Sequence, residues 1–246
     1  DIVLVQNQNS SFMKSRTFAS LTLLLAITYS CSTSKTVRFT KKQDDIVKTE
    51  SLKSFLDKTK NPKVVLRVSD ASYMVTEDEN VDYLFNAIEN QLLSSGFVVR
   101  DRQLFNQIIG NKDNTIDYEV LKDKSDTDLI IELIKLDPKV IYKTNKYYDK
   151  NNTEKVEKDI ERYRWYGASV EFKVVLIKSN EFAGVYKFNY TPCIEGCVIK
   201  KSLKELEKER KLREQEEKKG YEGVEKDELE DFIKKATIHL VEEMRK

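Results

Sequence analysis

The period of the apolar residues changes along this chain, and that change limits what it can fold into. Val81, Leu84, Phe85, Ile88 and Leu92 recur at steps of three and four, which lays one apolar stripe along a helix. Ala168, Val170, Phe172, Val174 and Leu176 alternate with Ser169, Glu171, Lys173 and Val175, the period of a strand buried on one side. A striped helix and a one-sided sheet each need apolar cover, and each supplies what the other lacks.

The remaining segments extend this pattern. A helix is predicted over 44–58, with Val47, Leu52, Phe55 and Leu56 loosely periodic, and Asn61-Pro62 stops it. The apolar run 63–69 is predicted as the first strand of a core sheet. The helix of 80–95 ends at Gly96, and Phe97-Val98-Val99 follows as a brief buried strand. Asp101 can cap a further helix in which Leu104, Phe105, Ile108 and Ile109 face inward, and a short helix is predicted over 118–124. Leu129 to Ile134 is apolar throughout, as a central strand covered on both faces would be.

The stretches 139–148 and 162–177 form the arms of a long antiparallel pair, with the charged, helix-tolerant residues 149–161 protruding between them. Residues 184–190 alternate as another strand. Two helices close the chain. One, over 199–219, is almost wholly charged; the other, over 227–246, carries Leu229, Phe232, Ile233, Ala236, Leu240, Val241 and Met244 on one face. Gly220 and Gly223 mark the joint between them. The predicted fold is an α/β (α+β) two-layer sandwich, a mixed sheet with helices packed on one side plus a protruding charged helix.

The amino-terminal segment is of a different kind. Lys14 and Arg16 precede the apolar run of Leu21, Leu23, Leu24, Leu25, Ala26 and Ile27, and Ser30 stands directly before Cys31. This is the pattern of a bacterial lipoprotein signal over 13–30, in which Cys31 is diacylated and becomes the first mature residue. Tyr29 is bulkier than the small residue usual two positions before that cysteine, and an ordinary secretory signal with an incidental cysteine is the alternative. Residues 1–12 look like an upstream extension, 31–45 like a lipidated tether, and 46–246 like one domain with a charged helical insertion at 199–222. On this reading the protein is anchored to the membrane through its amino-terminal lipid.

Composition excludes some chemistry. Removing 1–30 takes away Asp1, Lys14 and Arg16 and leaves a neutral mature chain, which argues against a general nucleic-acid binder. His239 is the single histidine, so Ser-His-Asp, Cys-His and multi-histidine metal sites have little to draw on. No catalytic residue, cofactor or metal ligand is expected. Cys193 and Cys197 enclose Ile194-Glu195-Gly196; in an oxidising compartment they can close as a small disulfide, or stand as two reduced thiols in a turn.

In its run Leu84–Leu93, Ser94-Ser95-Gly96-Phe97-Val98-Val99, Arg100-Asp101-Arg102-Gln103-Leu104-Phe105 the chain resembles the CsgG-like envelope lipoproteins. That family includes the curli assembly channel subunit; a peptidoglycan-synthase activator lipoprotein and the TolB amino-terminal domain are fold relatives. Residues 63–69, Ser125-Asp126-Thr127-Asp128 before the apolar strand, the pair 168–177 with Gly184-Val185-Tyr186, and 232–244 extend the likeness. The resemblance implies an outer-membrane lipoprotein facing the periplasm and no reaction centre. A curli-type subunit inserts strands into the membrane, whereas 141–165 carries many Lys and Asp residues, each costing about 2–4 kcal/mol against lipid near the midplane.

The expectation is therefore a non-catalytic periplasmic interaction or assembly module whose partner is another envelope protein or complex. Its candidate surfaces are 199–219, 149–161 and the loop from Cys193 to Cys197. The alternatives are a homo-oligomeric subunit of an outer-membrane secretion or assembly channel, and a periplasmic hydrolase using the carboxylates Asp70, Glu77, Asp78 and Glu79.

Overall fold

The computed structural model describes residues 35–68, 82–102, 105, 121, 125–158, 163–199 and 223–246. In chain order these form β1 (Lys35–Val37), β2 (Asp45–Lys48), α1 (Glu50–Lys58), β3 (Lys63–Val68), α2 (Asp82–Ser94), β4 (Val98–Arg100) and β5 (Leu129–Thr144). There follow β6 (Lys146–Tyr148), β7 (Glu154–Val156), β8 (Tyr163–Leu176), β9 (Glu181–Tyr190), β10 (Cys197–Ile199) and α3 (Lys226–Arg245).

Six strands make the main sheet in the order β2-β9-β8-β5-β3-β4. The pairs β3–β4 and β3–β5 are parallel and the rest antiparallel, so the sheet is mixed. The alternation in β8 places Ala168, Val170, Phe172, Val174 and Leu176 on one face with Val64, Leu66, Leu129, Ile131, Leu133, Tyr186 and Phe188. Onto that face pack the apolar stripes of the helices: Leu52 and Leu56 from α1, Leu84, Ile88 and Leu92 from α2, and Ile233, Ala236, Leu240 and Met244 from α3. This is the two-layer α+β sandwich.

At one end the opposite face is covered as well, where Phe105 and Leu121 bury Val65, Ile130, Val175 and Ile177. Further along, one row across that face is charged. Arg67 opposes Glu132 and Glu132 opposes Lys173 in register. Glu132 is buried, with Arg67 Nη1 donating to its Oε1 at 2.9 Å and Lys173 Nζ 3.5 Å from its Oε2. The burial is tolerable because two cations flank the carboxylate.

Local signals explain the boundaries. Gly96, at φ +88°, ends α2 in a Schellman turn: its N–H donates to Leu93 O at 3.0 Å and Phe97 N–H to Leu92 O at 3.1 Å. Asp128 locks the start of the core strands. Its Oδ2 accepts from Lys63 N–H at 2.9 Å, and its own N–H donates to Lys63 O at 2.8 Å.

Several expectations need correction. The stretch 44–58 is β2 followed by α1, because Val47 pairs with Val185 at the sheet edge and points to solvent. The 97–99 strand is an edge strand starting at Val98, with Phe97 buried and Val98 exposed. The 31–45 tether gives way to folded chain at Lys35, since β1 buries Val37 completely. The helix-tolerant segment 149–161 contains β7 instead, which pairs antiparallel with β6.

Candidate interaction surface

The long pair β5–β8 runs beyond the main sheet, with register irregularities between Leu133 and Lys135 and between Asp137 and Val140. Past the second of these, Val140 to Thr144 pair with Gly167 to Tyr163. This overhanging end supports a second sheet in the order β10-β1-β6-β7. Val37, Phe39 and Tyr163 bury themselves between the two, with Tyr142, Tyr147, Trp165 and Ile199 packed around them. The rings meet at angles: Phe39 lies 5.7 Å from Tyr142 and 6.0 Å from Trp165, and Tyr147 lies 6.5 Å from Tyr163. Edge-on contacts of this kind add to the area buried.

Cys193 and Cys197 are joined by a disulfide with their Cα atoms 5.0 Å apart. The bridge closes the turn that delivers β10 to β1, where Val37 opposes Cys197 and Thr36 opposes Val198. Gly196 sits at φ +110°, and a Cβ there would come within 2.6 Å of Thr36 Cγ2, so the turn and its approach to β1 both require glycine.

The outward side of the small sheet is a row of Val198, Thr36, Tyr148 and Glu154. The Arg38 guanidinium stacks on Tyr148 at 4.6 Å. Tyr148 Oη donates to Glu154 Oε2 at 3.0 Å, and Lys146 Nζ lies 2.8 Å from Glu154 Oε1. Glu154 is held below the usual carboxylate range, first by the hydrogen bond from Lys146 and then by that from Tyr148. Lys35 pairs with Glu157 at 2.6 Å. Large apolar side chains stand exposed here: Val156 at 63%, Val198 at 51%, Ile141 at 44% and Ile194 at 41%. Among the described residues β7 and β10 each end the sheet with an unpaired strand edge.

Of the expected surfaces, the structure brings 149–158 and the Cys193–Cys197 loop into this one sheet. Cys31, Asp70, Glu77, Asp78, Glu79 and nearly all of 199–222 lie outside the described residues. His239 lies apart, on α3, stacked on Phe188 at 5.0 Å with Nε2 3.4 Å from Glu243 Oε1 and Nδ1 3.7 Å from Asp44 Oδ2. Among the described residues no three His, Cys, Asp or Glu side chains converge as a metal site. A shallow groove between α2 and α3 is lined by Tyr83, Asn86, Asn90, Ser94, Glu230 and Lys234; Glu230 and Lys234 pair with each other at 2.6 Å, and Ser94 Oγ donates to Asn90 O at 2.8 Å. Sequence reasoning missed Val37 and Phe39. Their signal was present as alternation with Thr36, Arg38 and Thr40, but it spans too few residues to outweigh a polar context.

No protein-family model and no curated protein matches the chain. Among solved structures the chain is similar to the PelC dodecamer from Paraburkholderia phytofirmans, at 10% identity and a TM-score of 0.35, over 79% of this chain and 93% of that one. A dodecamer of a substituted form of the same PelC gives 10% identity and a TM-score of 0.31, over 61% and 82%. Likeness at this level assigns neither fold nor function.

Proposed function

We propose that this chain is a non-catalytic cell-envelope lipoprotein, anchored through Cys31, whose α+β domain serves as a protein-interaction or assembly module facing the periplasm. The observation that carries the reading is the small sheet. It begins at Lys35, four residues after Cys31, and it offers two strand edges, at β7 and β10. Unpaired strand edges are a ready template for pairing with another chain. Among the described residues no helix is long and apolar enough to cross a membrane, and the anchor supplies the membrane attachment in this reading. The partner is another envelope protein, met where the anchor holds the domain.

A second reading is an oligomeric subunit of an outer-membrane assembly or secretion channel. It draws on one feature: β7 and β10 lie at opposite ends of the same sheet, as a head-to-tail ring would need. Crosslinked purification of the lipidated protein from its native envelope, with Cys31→Ala as control, separates the two. A recurrent partner lost in the control is the expected result. Rings containing only this chain would replace the first reading with the second.

A further inference from the structure

The small sheet differs in charge from the rest of the molecule. Residues 35–42, 141–158, 163–166 and 191–199, which build it and its support, contain ten Lys and Arg against four Asp and Glu. The whole chain has a formal net charge of only +1, so the positive excess at this end is balanced by a negative excess elsewhere. Lys150 and Lys158 flank β7 and are exposed, and Lys155 within β7 is exposed on the face opposite Val156. Val156 on β7, Val198 on β10 and Ile194 in the disulfide loop are exposed, with the Arg38–Tyr148 stack between the two outer strands. Cations around exposed aliphatic side chains and a tyrosine are the composition of a surface that seats at an anionic lipid interface.

A lipid on Cys31 would keep this surface close to the bilayer. Four residues span at most about 14 Å when extended, so a lipid on Cys31 holds β1 at the headgroup layer. We infer that the small sheet is the membrane-facing end of the molecule, its basic, valine-bearing surface seated on anionic headgroups. The inference rests on the lipid anchor of the proposed function. It also adds an orientation: the α1–α2–α3 layer and the groove between α2 and α3 point away from the bilayer.

The test uses the lipidated protein reconstituted into vesicles of phosphatidylethanolamine with phosphatidylglycerol, or of phosphatidylcholine alone, each containing lipids with nitroxide-labelled headgroups. One fluorophore is placed at Val156→Cys on the small sheet and, in a second protein, at Leu93→Cys on α2; both positions are exposed. The disulfide occupies Cys193 and Cys197, and acylation occupies Cys31, so each label has one thiol to take. The expected result is severalfold quenching at position 156 on phosphatidylglycerol vesicles, weaker on phosphatidylcholine and at high salt, with none at 93. Lys150→Glu and Lys158→Glu together should abolish the quenching while the protein still floats with the vesicles. Anchored protein with no quenching at 156 overturns the orientation and leaves the anchor standing. Shielding of 156 that depends on protein concentration and not on lipid charge also overturns it, in favour of a second copy. Wild type and Cys31→Ala floating equally poorly would sink the anchor itself.

Discussion

At the scale of single residues, burial has been used with and without compensation. Tyr186 is fully buried in the main core, and among the described residues its hydroxyl has no hydrogen-bond partner. Burial first, and the nearby Glu243 charge second, push its ionisation well above the ordinary value of 10.0. The native state therefore keeps a proton that the unfolded chain gives up above pH 10. Stability should fall by about 1.4 kcal/mol per pH unit from there until the native phenol titrates. Tyr186→Phe should remove that slope and be neutral or stabilising by about 1 kcal/mol at pH 7, measured by urea unfolding at pH 7 and pH 11. Glu132 is the opposite case, buried and doubly paired. Glu132→Ala should cost about 3 kcal/mol, the lower end for a broken buried pair, because Arg67 and Lys173 keep 20% and 32% of their side chains in water and can turn toward it.

At the scale of elements, the ends of helices and the edges of sheets decide the outcome. Gly96 has open space around the position a Cβ would take, so Gly96→Ala should cost only the left-handed backbone conformation, about 1 kcal/mol. A larger loss in chemical unfolding would mean that the Schellman turn also packs against something. The disulfide belongs to β10 and its turn. Cys193→Ser with Cys197→Ser should release about 2 kcal/mol, small because the closed loop is short. Amide exchange in β1 and β10 should then quicken roughly thirtyfold, while exchange in β3 and the first half of β5 stays unchanged. Uniform acceleration would show that the two sheets open as one unit.

At the scale of the whole molecule, the β5–β8 pair joins a thick core to a thin outer sheet that packs on it through Val37, Phe39 and Tyr163 and a few further aromatic side chains. Native-state exchange should accordingly report the small sheet opening at lower free energy than the main sheet, even with the disulfide intact. The main layer was legible in the sequence because long elements repeat their period many times: the stripe from Leu84 to Leu92, the alternation from Ala168 to Leu176, and the stripe from Leu229 to Met244 each found their expected face. Gly96 as a helix stop was legible for the same reason, since its chemistry acts within one turn. The small sheet was not. Its strands are three residues long, too short for any period, and Val37 is buried only because Tyr163 and Trp165 arrive from far along the chain. Sequence alone thus determined the layer that local periodicity encodes and the cysteines able to pair. Which face of β5 would hold a charge, where the folded chain begins after Cys31, and that 149–158 and the Cys193–Cys197 turn share one sheet were decided by tertiary structure, because non-local strand pairing leaves no local pattern to read.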